Sequence, residues 1–169
     1  MNRWTKCVCT LLLSVGILAI PSRAATGTEA FEKLKSLVGH WETTGSGEKG
    51  TLDVQLTAGG TVVLERSHEI IDGKPVEMTT TYYLDGDTVR MTHYCMAGNQ
   101  PTMQATYAPD AKTITFDFVN ATNMKSPDDG HMHHAVYTFV DNDHLKMLWT
   151  FRKNQKDSFP EDISYVRTK

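Results

Sequence analysis

Hydrophobic residues recur at every second position through most of this chain, and at helical spacing only once. The helical stretch runs from Thr26 to Val38. Thr26 and Glu29 stand at capping-box spacing, and Phe31, Leu34 and Leu37/Val38 make an apolar stripe that stops at Gly39. From His40 the period is two. Ile114, Phe116 and Phe118 alternate with Thr113, Thr115 and Asp117, and Leu145, Met147, Trp149 and Phe151 alternate with His144, Lys146 and Thr150. Turn signals separate the runs: Gly45 to Gly50, Ala58-Gly59-Gly60, Asp72-Gly73, Asp85-Gly86, Asp110-Ala111 and Asp141-Asn142-Asp143. The pattern predicts strands near 40–47, 51–57, 61–70, 75–84, 87–95, 102–108, 112–119, 132–140, 144–152 and 158–167. Two connections, Met96–Pro101 and Asn120–Gly130, are longer. An all-β, up-and-down antiparallel barrel of about ten strands after a short helix satisfies this pattern, since closure removes exposed edges. A sandwich is the other solution.

The first 24 residues have a different composition. Arg3 and Lys6 precede an apolar run from Cys7 to Ile20, and Pro21-Ser22-Arg23-Ala24-Ala25 follows. A positive start, an apolar run too short to span a bilayer and small residues before Ala25 predict a cleaved signal peptide over 1–24 and a single domain over 25–169. Losing Arg3, Lys6 and Arg23 takes the formal charge from −3 to −6. A mildly acidic exported chain with no second apolar span and no basic patch is expected to bind neither nucleic acid nor, once mature, the bilayer interior. Its location is expected to be periplasmic or secreted. Cys7 and Cys9 leave with the leader, so Cys95 is expected to be a lone, buried thiol without a disulfide.

Gly39-His40-Trp41, after a helix and opening the first strand, resembles the Gly-x-Trp signature of lipocalins. The resemblance implies a Trp that plugs the closed end of a barrel, with an Arg of the last strand, here Arg167, across it. The wider set of Leu34-x-x-Leu37-Val38-Gly39-x-Trp41-Glu42, Tyr83-Leu84-Asp85-Gly86-Asp87, Met91-Thr92-His93-Tyr94-Cys95, Gly98-Asn99-Gln100-Pro101 and Gly130-His131-Met132-His133 is similar to a family of exported bacterial calycin-like barrels with no established function. The chain also resembles, more distantly, the haem-binding barrel nitrobindin. That protein holds its haem through a late histidine. Phe159–Thr168 has none and His144 opens its strand, so haem is not expected here.

Strand parity collects the polar residues at the end opposite the helix. Arg66 and His68 end the third strand, His93 and Cys95 the fifth, and His131 and His133 open the eighth. Val62 and Leu64 share a face with Arg66 and His68, and Val89 and Met91 share one with His93 and Cys95, so both sets are expected inward. The facing of the eighth strand is ambiguous. His93, Cys95, His131 and His133 form two i, i+2 pairs, a donor set that suits tetrahedral zinc and, with an open position, a metal-dependent enzyme. The other reading is a polar ring at the mouth of a pocket for a small, partly apolar molecule, with Arg66, His68, Tyr82, Met91, His93 and Trp149 as binding residues. Met78, Met103, Phe116 and Phe118 are further wall candidates. Ser67-His68-Glu69 cannot form a relay, because neighbours on a strand point to opposite faces, and no nucleophile elbow or phosphate-binding loop appears.

Overall fold

A computed structural model describes residues 25–45, 49–158 and 160–169. The expected leader, positions 46–47 of the first expected strand and Phe159 therefore lie outside the described residues. Helix α1 (Gly27–Lys35) forms because the Thr26 side chain caps the Glu29 N–H while the Glu29 carboxylate returns to the Thr26 N–H. Its buried face carries Ala30, Phe31 and Leu34.

Among the described residues eleven strands follow: β1 (Gly39–Thr43), β2 (Thr51–Thr57), β3 (Val62–Ile71), β4 (Lys74–Asp85), β5 (Thr88–Tyr94), β6 (Gln100–Tyr107), β7 (Thr113–Thr122), β8 (His131–Phe139), β9 (His144–Lys153), β10 (Lys156–Asp157) and β11 (Glu161–Arg167). Each strand from β1 to β9 pairs antiparallel with the next, β9 pairs with β11, and β11 closes on β1. Ten strands thus close the barrel. The expected last strand begins at Glu161, and β10, which precedes it, is a two-residue extension on β9. No helix among the described residues is long and apolar enough to cross a membrane.

The helix end of the barrel is sealed as the Gly-x-Trp resemblance implies. Trp41 is 1% exposed and its indole N–H donates to the Leu37 carbonyl at 2.8 Å. The Arg167 guanidinium lies 4.1 Å from the ring centroid. It does more than cover the ring, for it also donates to the carbonyls of Val38, Ser36 and Asn142. One planar fork therefore ties the chain after α1 to the β8–β9 turn and the last strand. Gly39 sits at φ 142°, and a Cβ there would stand 2.5 Å from the Lys169 carbonyl oxygen, so both backbone angle and space require glycine.

Candidate functional site

The opposite end is open, and a polar chain lies inside the barrel beneath it. Tight turns put it there. The β3–β4 turn places Asp72 at φ 52° and Gly73 at φ 71°, the left-handed pair of a two-residue hairpin loop. That loop pairs Ile71 with Lys74, which brings Glu65 beside Thr80 and Val63 beside Tyr82. The β4–β5 turn pairs Asp85 with Thr88, which brings Thr80 beside His93 and Tyr82 beside Met91. Glu65, Thr80 and His93 therefore form one row across three strands, all facing in.

The hydrogens of this row can be counted. Tyr82 Oη donates to Glu65 Oε2 at 2.8 Å. Each hydroxyl has one proton. The Tyr137 hydroxyl, 2.7 Å from that of Tyr82, is thus the donor of its pair, and Thr80 Oγ1 shares a hydrogen bond with His93 Nδ1 at 3.0 Å. The other ring nitrogen, His93 Nε2, is buried without a partner.

Burial sets the charges. Glu65 is 3% exposed, and desolvation pushes its carboxyl up to about 7, against the pull of the Tyr82 hydrogen bond. His93 is 4% exposed, and desolvation takes its imidazole down to about 4, so it is neutral at pH 7. Its ring packs on Trp149, centroids 5.0 Å apart. Tyr82, Phe116, Tyr137 and Trp149 continue the aromatic contacts with centroids 5.3–6.1 Å apart.

Beside this row lie two adjoining spaces. The inner one, about 20 Å³, touches Glu65, Ser67, His93, Trp149 and Tyr165. It has room for about one water. The outer recess, about 290 Å³, is walled by Ile71, Cys95, Met96, Ala97 and Phe151. Both spaces share Glu69, Met78, Met132 and Glu161. Two larger recesses, of about 510 and 370 Å³, flank Lys49 and Gly50 and do not reach His93.

Several expected positions need correction. Arg66 and His68 point out of the barrel, not in: the inward residues of β3 are Val63, Glu65 and Ser67. Apolar residues at both parities of this strand made Val62 and Leu64 poor guides. His68 lies 3.6 Å from both Asp53 and Glu77 on the outer surface. Tyr82, His93 and Trp149 face in as expected, and Met91 does too, but Met91 is packed core away from the cavity. Met103 and Phe116 are likewise core, whereas Met78 lines both spaces.

The four expected zinc ligands are not brought together. In the β8–β9 ladder the register shifts between Met132 and His134, so His133 is the extra residue of a bulge. Met132 consequently lines the cavity, while His131 and His133 do not. Their rings pack on Phe118 at 4.5 and 5.1 Å, and His131 Nε2 meets His133 Nδ1 at 3.1 Å. His131 Nδ1 is held by the Asp129 carbonyl. Strands β6 and β7 separate this pair from His93 and Cys95 on the β5 side. The Cys95 sulfur accepts from the Ala97 N–H, and burial raises its thiol pKa. Among the described residues no three His, Cys, Asp or Glu side chains are gathered as a metal ion requires.

No protein-family model matches the chain, and no curated protein matches it. A solved structure does. The crystal structure of Rv2717c from M. tuberculosis superposes with a TM-score of 0.62 at 16% identity, covering 83% of this chain and 98% of that one. At that identity the likeness is one of fold, and the chain is a closed ten-stranded antiparallel β-barrel with a neighbour among known structures.

Proposed function

We propose that this protein is an exported, calycin-like barrel that binds a small, partly apolar molecule through its open end. One observation carries the reading: His93, whose buried Nε2 has no partner, lines a cavity that adjoins an apolar recess. An unmade hydrogen bond on a buried polar atom costs about 1–3 kcal/mol. A ligand group or a bound water that completes it recovers that cost. The recess is near the small end of typical ligand pockets, about 300–1,000 Å³, and its Met, Ile and Phe walls suit an apolar body. Trp149, His93 and Glu65 then meet the polar end. Export rests on the leader-like 1–24 segment.

A neutral solvatochromic dye tests the reading. Its emission should shift blue with saturable, one-site binding to the full protein. Ala97→Trp, at an exposed rim position, should block the recess and abolish the shift without lowering the melting temperature. Dye binding unchanged by Ala97→Trp would place the apolar site elsewhere and overturn the reading.

A further inference from the structure

The shape and polarity of the two spaces constrain the polar end of the ligand, an inference that rests on the binding reading above. The inner cavity, about 20 Å³, admits one group the size of a water. Its polar lining includes Glu65, Ser67 and His93, and no lysine or arginine lines it or the outer recess among the described residues. His93 Nε2, on a side chain 4% exposed, has no partner. His93 Nδ1 is engaged by Thr80 Oγ1, a hydroxyl that either donates or accepts, so Nε2 presents a lone pair in one tautomer and an N–H in the other. Met78 and Met132 line both spaces, so a slender chain running past these flexible side chains joins the cavity to the apolar walls of Ile71, Ala97 and Phe151.

Size, charge and hydrogen-bonding role then select among polar ends. Burial drives both titratable groups of the row toward their neutral forms, the Glu65 carboxyl upward and the His93 imidazole downward. A carboxylate or an ammonium would give up its hydration in the same surroundings. The first only accepts and the second only donates, so each also fits a single tautomer of His93. A hydroxyl is uncharged, is the size of a water, and both donates and accepts. It completes the Nε2 hydrogen bond in either tautomer, reproducing the bonds a water would make there while carrying an alkyl chain. A second substituent on the carbon that bears it has no room in a one-water space.

We propose that the barrel takes an uncharged amphiphile with a primary hydroxyl, which sits in the inner cavity on His93 Nε2 while the alkyl body lies in the outer recess against Met78, Met132 and Phe151. Binding is non-covalent.

Isothermal titration of the full protein with 1-hexanol, 3-hexanol, hexanoate and n-hexylammonium tests this assignment, because the four share a six-carbon body. The titrations are run at about pH 6, where Glu65 holds its proton and His93 is neutral. 1-Hexanol should bind at least tenfold tighter than either ion and at least threefold tighter than 3-hexanol. His93→Leu should weaken 1-hexanol at least threefold, and His93→Gln, which keeps both a donor and an acceptor, should weaken it less. The nitrogen-15 resonances of the wild-type His93 ring report the same contact without a substitution, and saturating 1-hexanol should shift them. Either ion binding as tightly as 1-hexanol would overturn the uncharged class, and 3-hexanol binding as tightly would overturn the primary hydroxyl; the small-molecule reading survives both. An affinity for 1-hexanol unchanged in His93→Leu, or His93 resonances that stay in place at saturation, would overturn the seat on His93. Binding of none of the four overturns the alcohol class, and the dye experiment then judges the binding reading separately.

Discussion

Glu65→Gln should change how stability depends on pH, and the direction follows from burial. In the folded protein the Glu65 carboxyl titrates at about 7, against an ordinary value of 4.5. Between those limits the folded state holds a proton that the unfolded chain releases, so stability falls as pH rises through this window. The full effect is about 2.5 units at 1.36 kcal/mol each, or roughly 3 kcal/mol, present below pH 4.5 and lost above pH 7. His93 acts in the opposite sense. Its folded value is about 4 against an ordinary 6.5, so the unfolded chain takes up the proton first and stability falls as pH drops through that window. Between about pH 4.5 and 6.5 the two slopes nearly cancel in the wild type. Glutamine keeps an acceptor for the Tyr82 hydroxyl and cannot ionise, so the variant unmasks the histidine. Urea melts at half-unit steps from pH 4 to 8 should show the variant gaining on wild type by roughly 3 kcal/mol between pH 4.5 and 7, and no further above it. Comparing the two proteins cancels the surface carboxylates. A difference that is flat across this range, or that falls with pH, would refute the buried-glutamate account.

Other consequences are simpler to measure. Trp41→Ala should cost about 3–5 kcal/mol in denaturant melts, the range for truncating a large core aromatic. Arg167→Lys should recover only part of the loss in Arg167→Ala, because an ammonium cannot hold carbonyls of Ser36, Val38 and Asn142 as a planar fork does. Gly39→Ala should cost at least about 1–3 kcal/mol from its backbone angle alone, and thermal melts would show a lowered midpoint. Chelator should leave the melting temperature unchanged, since His93 and Cys95 stand apart from His131 and His133; a chelator-induced drop, restored by zinc, would contradict this placement.

Alternation and turn chemistry predict the barrel well, because each strand must bury one face and each hairpin needs residues that tolerate left-handed backbone. The site was less legible, for two physical reasons. First, the inward face of β3 continues past Val63 into Glu65 and Ser67, which look like solvent positions in a sequence. The signal that identifies them was present in the turns. Asp72-Gly73 and Asp85-Gly86 fix the pairing of β3, β4 and β5, and counting back from each turn aligns Glu65, Thr80 and His93. Second, nothing in His131-Met132-His133-His134 marks where a strand gains an extra residue. The bulge at His133 reverses the facing of its neighbours, taking Met132 in and the two expected ligands away from the cavity.

Native mass spectrometry of the protein purified from its own host shows whether the open end of the barrel holds a small molecule. The expected species is a protein ion carrying one small organic molecule, released on collisional activation and missing from the Ala97→Trp variant. Bare polypeptide alone, or a metal adduct without an organic molecule, would contradict it.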